Sequence, residues 1–313
     1  MLSRVAERVY WLARYLERVE NTARLVNVHT ALLMDLPEHM EVNWFTLVTI
    51  FDAEQIYYRK HPRENEYDIM HFLLADPGYG GSLINNLAAV RENARTSLDV
   101  LPEEIWEQVN ELHLLVKSEL SSIGNRRRRQ KLLLTIMESC QCIWGMIANH
   151  MSRNFAYDFL QAGKHLERAD MTSRILELSA LLMSDNRSEA LKQHEGILWA
   201  TLLRVLNAQQ MYIQAHNSSL KGESVLAFLI QDTAFPRSLS FSVKSVGSYL
   251  EYLPGDKHML AQQAEILNDL QAYSAERNPP ETIRLMMDEL QIALNRLNTS
   301  ITTNWFYPDY SVS

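Results

Sequence analysis

The sequence predicts an all-α protein made of two similar helical bundles from an internal duplication, related by an approximate two-fold axis. Three observations lead there. Gly (10) and Pro (9) are sparse in 313 residues, together about half their usual share, which disfavours the many tight turns of sandwiches and barrels. Apolar residues recur at helical spacing through most of the chain, and three segments of its first half return in its second. With 47% hydrophobic residues the chain has ample core material, and its length suits about two domains.

The first element is a long packed helix. Leu2, Val5, Val9, Leu12, Leu16, Val19, Ala23, Val26 and, past Thr30, Leu33 alternate by three and four, the spacing of one buried helical face. On one side of that stripe run Ala6, Tyr10, Ala13, Glu17, Glu20 and Arg24; on the other lie Arg4, Arg8, Trp11, Tyr15, Arg18, Thr22 and Leu25. Glu17, Arg18, Glu20 and Arg24 therefore border the core. Taken alone they are ordinary helix-surface charges, with Glu20 and Arg24 an i,i+4 pair worth a few tenths of a kcal/mol.

The cluster occurs twice. LERVENTAR at 16–24 returns as LERADMTSR at 166–174, aligning Glu17 with Glu167, Arg18 with Arg168, Glu20 with Asp170 and Arg24 with Arg174. The core stripe repeats too, Leu166, Ala169, Ser173, Leu176, Ala180 and Met183 falling opposite Leu16, Val19, Ala23, Val26, Thr30 and Leu33. A second segment, WFTLVTIFDAEQIYYRKH from Trp44, matches WATLLRVLNAQQMYIQAH from Trp199. A third, FLLADPGYGGSL from Phe72, matches FLIQDTAFPRSL from Phe228 and pairs Asp76 with Asp232, Tyr79 with Phe235 and Ser82 with Ser238. Between the first two matches the later copy is longer, consistent with its polar loop SDNRSEALKQHEG, since insertions gather in loops.

The remaining elements also read as helices. Residues 82–98 and 102–122 form two in the first copy, the latter opened by Pro102 with Glu103 and Glu104 in its first turn, a favoured helix start. Residues 236–252 and 257–276 correspond in the second copy, separated by PGD at 254–256. Between the copies, SSIGNRRRRQ is the plausible boundary, giving a first repeat over 1–125 and a linking helix plus second repeat over 126–313, which can also form one compact pseudo-symmetric unit. Helices at 130–152 and 154–184 follow the boundary. A last helix runs from Pro280 to about Thr303, ahead of the tail NWFYPDYSVS.

Charge and cysteine usage narrow the setting. Against 38 Asp+Glu stand 30 Lys+Arg, so no general attraction to nucleic acid or anionic membrane is expected. Cys140 and Cys142 are too close for an ordinary disulfide and too few for a zinc site. They read as small buried thiols in an apolar helix. The N-terminus MLSRVAERVYW carries charges where a signal peptide needs an apolar run, and no 18-residue uncharged apolar stretch occurs, so the expected location is cytoplasmic.

Familiar chemistry is absent from the pattern. None of the ten histidines has a Glu three residues before it, only Asp68 ahead of His71, so a ferritin-like di-iron site is not expected. Glu17 with Glu20 and Glu167 with Asp170 place paired carboxylates on one helical face, but arginines beside them oppose a hard cation. GYGG at 78–81 lacks the strand that a dinucleotide turn requires, and no Walker loop occurs. No cofactor and no metal are therefore expected. Arg126–Arg129 reads as a solvated linker or helix start. His61 and His216 end matching helices, where a cation is favoured, and Trp44, Trp199, Tyr57 and Tyr212 read as packing.

MLSRVAERVYWLARYLERVENTARL, RENAR at 91–95, the FLL-x-D and FPRSL segments and the returning HLERADMTSR together resemble the bacterial alpha-E family, a helical domain with repeated Glu-Arg motifs. The resemblance covers essentially the whole chain. It implies association with a circularly permuted ATP-grasp ligase, often near a transglutaminase-like peptidase, and hence with amide or peptide bond formation on an acidic or peptide substrate. The family's motif residues fall here on Glu17, Arg18, Glu167 and Arg168, with Arg91, Arg95 and Arg237 in its other motifs. One departure stands out: Gly80 and Gly81 precede Ser82 where the family more usually has a proline-containing turn.

Two readings of the Glu-Arg motifs remain open. In one they form a buried ion-pair lattice that locks the two bundles together. In the other Arg18, Arg24, Arg168 and Arg174 hold a carboxylate or phosphate, with Glu20 and Asp170 orienting them or holding an amine. Functionally, the expectation is an accessory or substrate-binding partner of the ligase. The alternative is an enzyme in its own right, with Glu17 and Glu167 as general acid or base and the arginines stabilising an anion.

Overall fold

Val9, Leu12, Leu16, Val19, Ala23 and Val26 are all fully buried, and so is the neighbouring Tyr10. They lie on α1 (Ser3–Asp35) in the computed structural model, which describes residues 3–35, 42–182, 194–216, 220–255, 257–274 and 280–307. Arg14, Glu17, Glu20 and Arg24 are buried on the same helix. A helix inaccessible on nearly every side must be enclosed by others. The stripe residues Leu2 and Met183, the side chain of Ala180, most of the polar loop after it, Asp256 and the end of the C-terminal tail lie outside the described residues.

Every described element is helical. After α1 come α2 (Thr46–Ile50), α3 (Glu54–Tyr58), α4 (Glu66–Leu74), α5 (Leu83–Arg95) and α6 (Glu103–Glu119), the last closing in a 3-10 turn at Leu120–Ser122. Then follow α7 (Arg126–His150), α8 (Phe155–Leu182), α9 (Glu195–Val205), α10 (Gln209–His216), α11 (Gly222–Gln231), α12 (Leu239–Glu251), α13 (His258–Gln271) and α14 (Pro280–Trp305). Local chemistry sets several starts: the side chains of Asn65, Asn125 and Ser238 each accept a backbone N–H of the first turn of α4, α7 and α12, satisfying donors that have no partner within the helix.

The segments from Trp44 and Trp199 each run through two short helices. The break falls at Asp52 (φ 50°) in the first and Asn207 (φ 53°) in the second. Asp and Asn tolerate this left-handed conformation better than most residues.

Of its two readings the arginine run takes the helix start, with Arg126, Arg127 and Arg128 exposed. It opens α7, four residues ahead of the predicted start, and Arg129 is buried, donating from Nη2 to Glu66 Oε1 (2.5 Å) and from Nη1 to the Ile123 carbonyl (2.9 Å). Its guanidinium also lies over the Trp44 ring. Farther along α7, Cys140 is buried as expected but Cys142 is exposed, because helical spacing turns residues two apart to different faces. α7 is long and apolar enough, by length and composition, to cross a bilayer; here it packs against α1 and α6.

The two motif helices, α1 and α8, form the most extensive helix–helix contact. α5, α7 and α9 surround α1, α12 flanks α8, and α14 lies against both. The close approach needs a glycine: a Cβ on Gly163 of α8 would stand 2.5 Å from the Tyr10 carbonyl oxygen. From Tyr10 on Gly163 to Glu17 on Arg168 the contacts advance together, so α1 and α8 run in the same sense.

Candidate functional site

Glu17 and Arg18 of α1 meet Arg168 and Glu167 of α8 crosswise. Arg168 donates from Nε to Glu17 Oε1 (2.8 Å) and from Nη2 to Oε2 (3.0 Å). Arg18 does the same to Glu167, with Nε to Oε1 at 2.5 Å and Nη2 to Oε2 at 3.0 Å. Each motif's acid thus takes a two-pronged guanidinium from the other helix, the strongest geometry such a pair can adopt. Neighbours within a motif point apart on the helix and do not pair.

A second cation reaches each acid by a different route. Arg237, just before α12, donates to Glu17 Oε1 (3.3 Å), Asn21 Oδ1 (2.9 Å) and Glu20 Oε1 (2.9 Å). Arg24 also donates to Glu20, while its buried Nε has no hydrogen-bond partner among the described residues. The position matching Arg237 in the first half is Gly81, so that loop supplies no arginine there. Arg14 of α1 serves instead, donating to Glu167 Oε2 (2.8 Å) and Asn298 Oδ1 (2.6 Å). Tyr10 donates to the same Asn298 oxygen at 2.8 Å. At the edge, Arg174 donates to Asp170 Oδ2 (3.0 Å) within α8.

Burial by itself would raise the Glu17 carboxyl, but Arg168 and Arg237 outweigh it and hold the group far below the ordinary carboxylate range. Glu167 is likewise held down, against its own burial, by Arg18 and Arg14. Both acids therefore stay ionised, fully inaccessible to solvent, and saturated with donors. The cations divide: Arg18 is pushed up chiefly by Glu167, whereas burial and then Arg168 bring Arg237 down to about 10. Lys164, whose ammonium lies 4.2 Å from the Trp144 ring centre, falls to about 8 through burial and the nearby Arg168. The region holds more positive charge than its acids match.

Part of this network reaches solvent in a cleft. Between α1, α8 and α14 opens a cleft of about 560 Å³ lined by Arg14, Arg18, Asp170, Arg174, Asn298 and residues of α14 that include Asp288 and Gln291. Arg18 and Arg174 are about a quarter exposed there, at 27% and 24% of their side chains.

The sequence-predicted residues fall into two groups. Glu17, Arg18, Glu20, Arg24, Glu167, Arg168, Asp170, Arg174 and Arg237 come together along the α1–α8 seam. Arg91 and Arg95 do not: Arg91 bonds Asn110 (2.7 Å) and lies over Trp106, joining α5 to α6, and Arg95 pairs with Glu92 on its own exposed helix face. Arg14, Asn21 and Asn298 are the residues that sequence reasoning does not single out. Arg14 does leave a trace, since a cation, Lys164, stands at the matching position three residues before the repeated Glu.

Residues 1–306 match the Alpha-E family model, described as a predicted alpha-helical domain with a conserved ER motif. An uncharacterized protein of Mycobacterium bovis is 22% identical over 95% of this chain and 35% of its own length. Two uncharacterized proteins of Mycobacterium tuberculosis are 22% and 21% identical with the same coverage. The chain thus spans 35% of the length of the curated relatives it matches. No solved structure matches it. The Glu-Arg pairs at 17–18 and 167–168 are exchanged between α1 and α8, and the chain belongs to the alpha-E family.

Proposed function

We propose that the chain is a binding partner of an ATP-dependent ligase of the circularly permuted ATP-grasp class, holding the ligase's acidic or peptide substrate by a carboxylate or phosphate in the α1–α8–α14 cleft. One observation carries the substrate half of this reading. Arg18 and Arg174, each about a quarter exposed, present planar guanidinium groups to the cleft, beside Arg14 and opposite the carboxylates of Asp170 and Asp288. Partly exposed planar donors of this kind, in a chain of net charge -8, suit a carboxylate or phosphate. The ligase half rests on the likeness to other alpha-E proteins. Amide bond formation driven by ATP also suits the expected cytoplasmic setting.

The alternative, catalysis by Glu17 and Glu167, finds less support. A general base needs a lone pair open to substrate and a pKa near the working pH; both acids are enclosed, saturated and held low. Their arrangement favours a lattice that builds the cleft wall.

We also infer an internal duplication, with halves near 1–125 and 126–313 about an approximate two-fold axis. Paired details support it. His61 stacks on Tyr57 (4.9 Å between centroids) as His216 stacks on Tyr212 (4.8 Å), and Phe72 stacks on Tyr79 as Phe228 does on Phe235. Both histidines thus sit in aromatic layers, His216 as the last residue of α10 and His61 three residues past α3.

The test is co-purification with an ATP-grasp ligase encoded beside the gene, then ATP consumption with and without the chain. Arg18→Lys and Arg174→Lys keep a cation but remove the planar fork. The proposal expects them to stay folded and to lose the chain's stimulation of the ligase. A ligase that neither binds the chain nor changes rate overturns the partnership; lysine variants with full stimulation overturn the cleft.

A further inference from the structure

A second cleft, of about 860 Å³, opens at the N-terminal end of α8 against the end of α12 and shares no lining residue with the first. Its walls are aromatic. Tyr157 and Tyr249 meet edge to face with centroids 6.1 Å apart, and Phe155 and Tyr252 stand at the rim, 44% and 72% exposed.

At its base lies Asp158, only 9% exposed. Among the described residues no hydrogen bond or ion pair reaches its carboxylate, and burial raises its pKa with no opposing cation. The nearby polar groups are committed elsewhere. Arg153 lies over the Tyr157 ring at 4.0 Å and donates to the carbonyls of Ala148 (2.6 Å) and Met151 (3.4 Å). The Asn154 side chain accepts the N–H groups of Ala156 and Tyr157. Asp158 does sit in the first turn of α8, where the helix dipole favours an anion. The dipole accounts for the charge but not for aromatic rings gathered around it.

A carboxylate without a partner, beneath ring faces that carry negative charge density, is the chemistry that selects an organic cation over an anion or a neutral molecule. We propose that this cleft is a binding site for an alkylammonium group, Asp158 pairing with the charge and Phe155, Tyr249 and Tyr252 enclosing its substituents, since the guanidinium of Arg153 already covers the Tyr157 ring. The group can be a free amine or the side-chain amine of a peptide lysine. The site goes beyond the anion cleft and stands or falls separately from it.

Titration calorimetry on the full chain tests it with n-butylammonium, tetramethylammonium and a short lysine peptide blocked at both ends, against n-pentanol as the neutral isostere. Saturable binding of an ammonium probe, with none of pentanol, is expected. Asp158→Asn should weaken it by about tenfold or more, and Tyr252→Ala, at a rim position that leaves the core intact, by several-fold. Tighter binding of the peptide than of n-butylammonium names a peptide amine as the source; the reverse names a free amine. No saturable ammonium binding at millimolar concentration overturns the proposal, as does equal binding of pentanol, or affinity unchanged in both variants.

Discussion

Replacing Glu17 with Gln keeps the side chain's shape and one acceptor oxygen while deleting the charge that Arg168 and Arg237 share. The carboxylate accepts three guanidinium hydrogen bonds, at 2.8, 3.0 and 3.3 Å, and is fully buried. In the variant Arg168 keeps at most one uncharged acceptor in place of its two-pronged carboxylate, and Glu20 alone is left to oppose Arg24, Arg168 and Arg237. Leaving buried charge without its partner costs about 3–5 kcal/mol, a large part of the ~5–15 kcal/mol that stabilises a typical protein. The thermal midpoint should fall by roughly 5–8 °C for a chain of 313 residues. Thermal unfolding followed by far-ultraviolet circular dichroism reads this directly, with Arg95→Ala as the control: the Arg95–Glu92 pair is solvent-exposed on one helix, so its loss should leave the midpoint unchanged. If Glu17→Gln unfolds within a degree of wild type, as the control does, the buried-lattice reasoning is wrong.

Two further outcomes follow from the same packing. Gly163→Ala drives a methyl into the Tyr10 carbonyl and should destabilise by about 1–3 kcal/mol, whereas Gly145→Ala in α7, with nothing within 4 Å of the added carbon, should stabilise by about 1 kcal/mol; urea titrations of the pair separate the two signs. The pH dependence has a definite direction as well. Glu17 and Glu167 lie below their ordinary value of 4.5 when folded, so the unfolded chain takes up these protons first. Their contribution is fully present above about pH 4.5 and is lost as the pH falls below it. A Glu17→Gln, Glu167→Gln double variant should therefore show a flatter midpoint-against-pH curve between pH 5 and 3, within the limits of linkage; an unchanged slope contradicts the assignment.

What the sequence reveals, and what it hides, follows from range. The face of α1 is legible because helical periodicity is local: the stripe from Val5 to Val26 names its own buried side. The importance of Glu17, Arg18, Glu167 and Arg168 is legible because the cluster returns at a matched position beside the same stripe. Which partner each would take is not, since Glu17–Arg18 and Glu17–Arg168 are equally consistent with composition, and the crossing is decided by how α8 packs on α1. Asn298 stands 284 residues from Arg14, on a helix whose pattern does not say which cleft it lines. The bends at Asp52 and Asn207 are hidden for a different reason, because an apolar run with one acidic or amide residue reads as continuous helix. That Asp and Asn stand at matched positions is the signal that marks them. Arg91 and Arg95 were brought forward by the family motif alone, and α5 turns them toward α6 and solvent, away from the seam.

The central claim is that the repeated motifs are exchanged between α1 and α8, and double-mutant cycles on unfolding free energy test it most directly. The crossed pairs, Glu17 with Arg168 and Glu167 with Arg18, should show coupling of about 1–3 kcal/mol, as residues in one buried network do. The pairs adjacent in sequence, Glu17 with Arg18 and Glu167 with Arg168, should be far more nearly additive, because they share no hydrogen bond. Additive crossed pairs, or stronger coupling within a motif than across the two helices, would contradict the account.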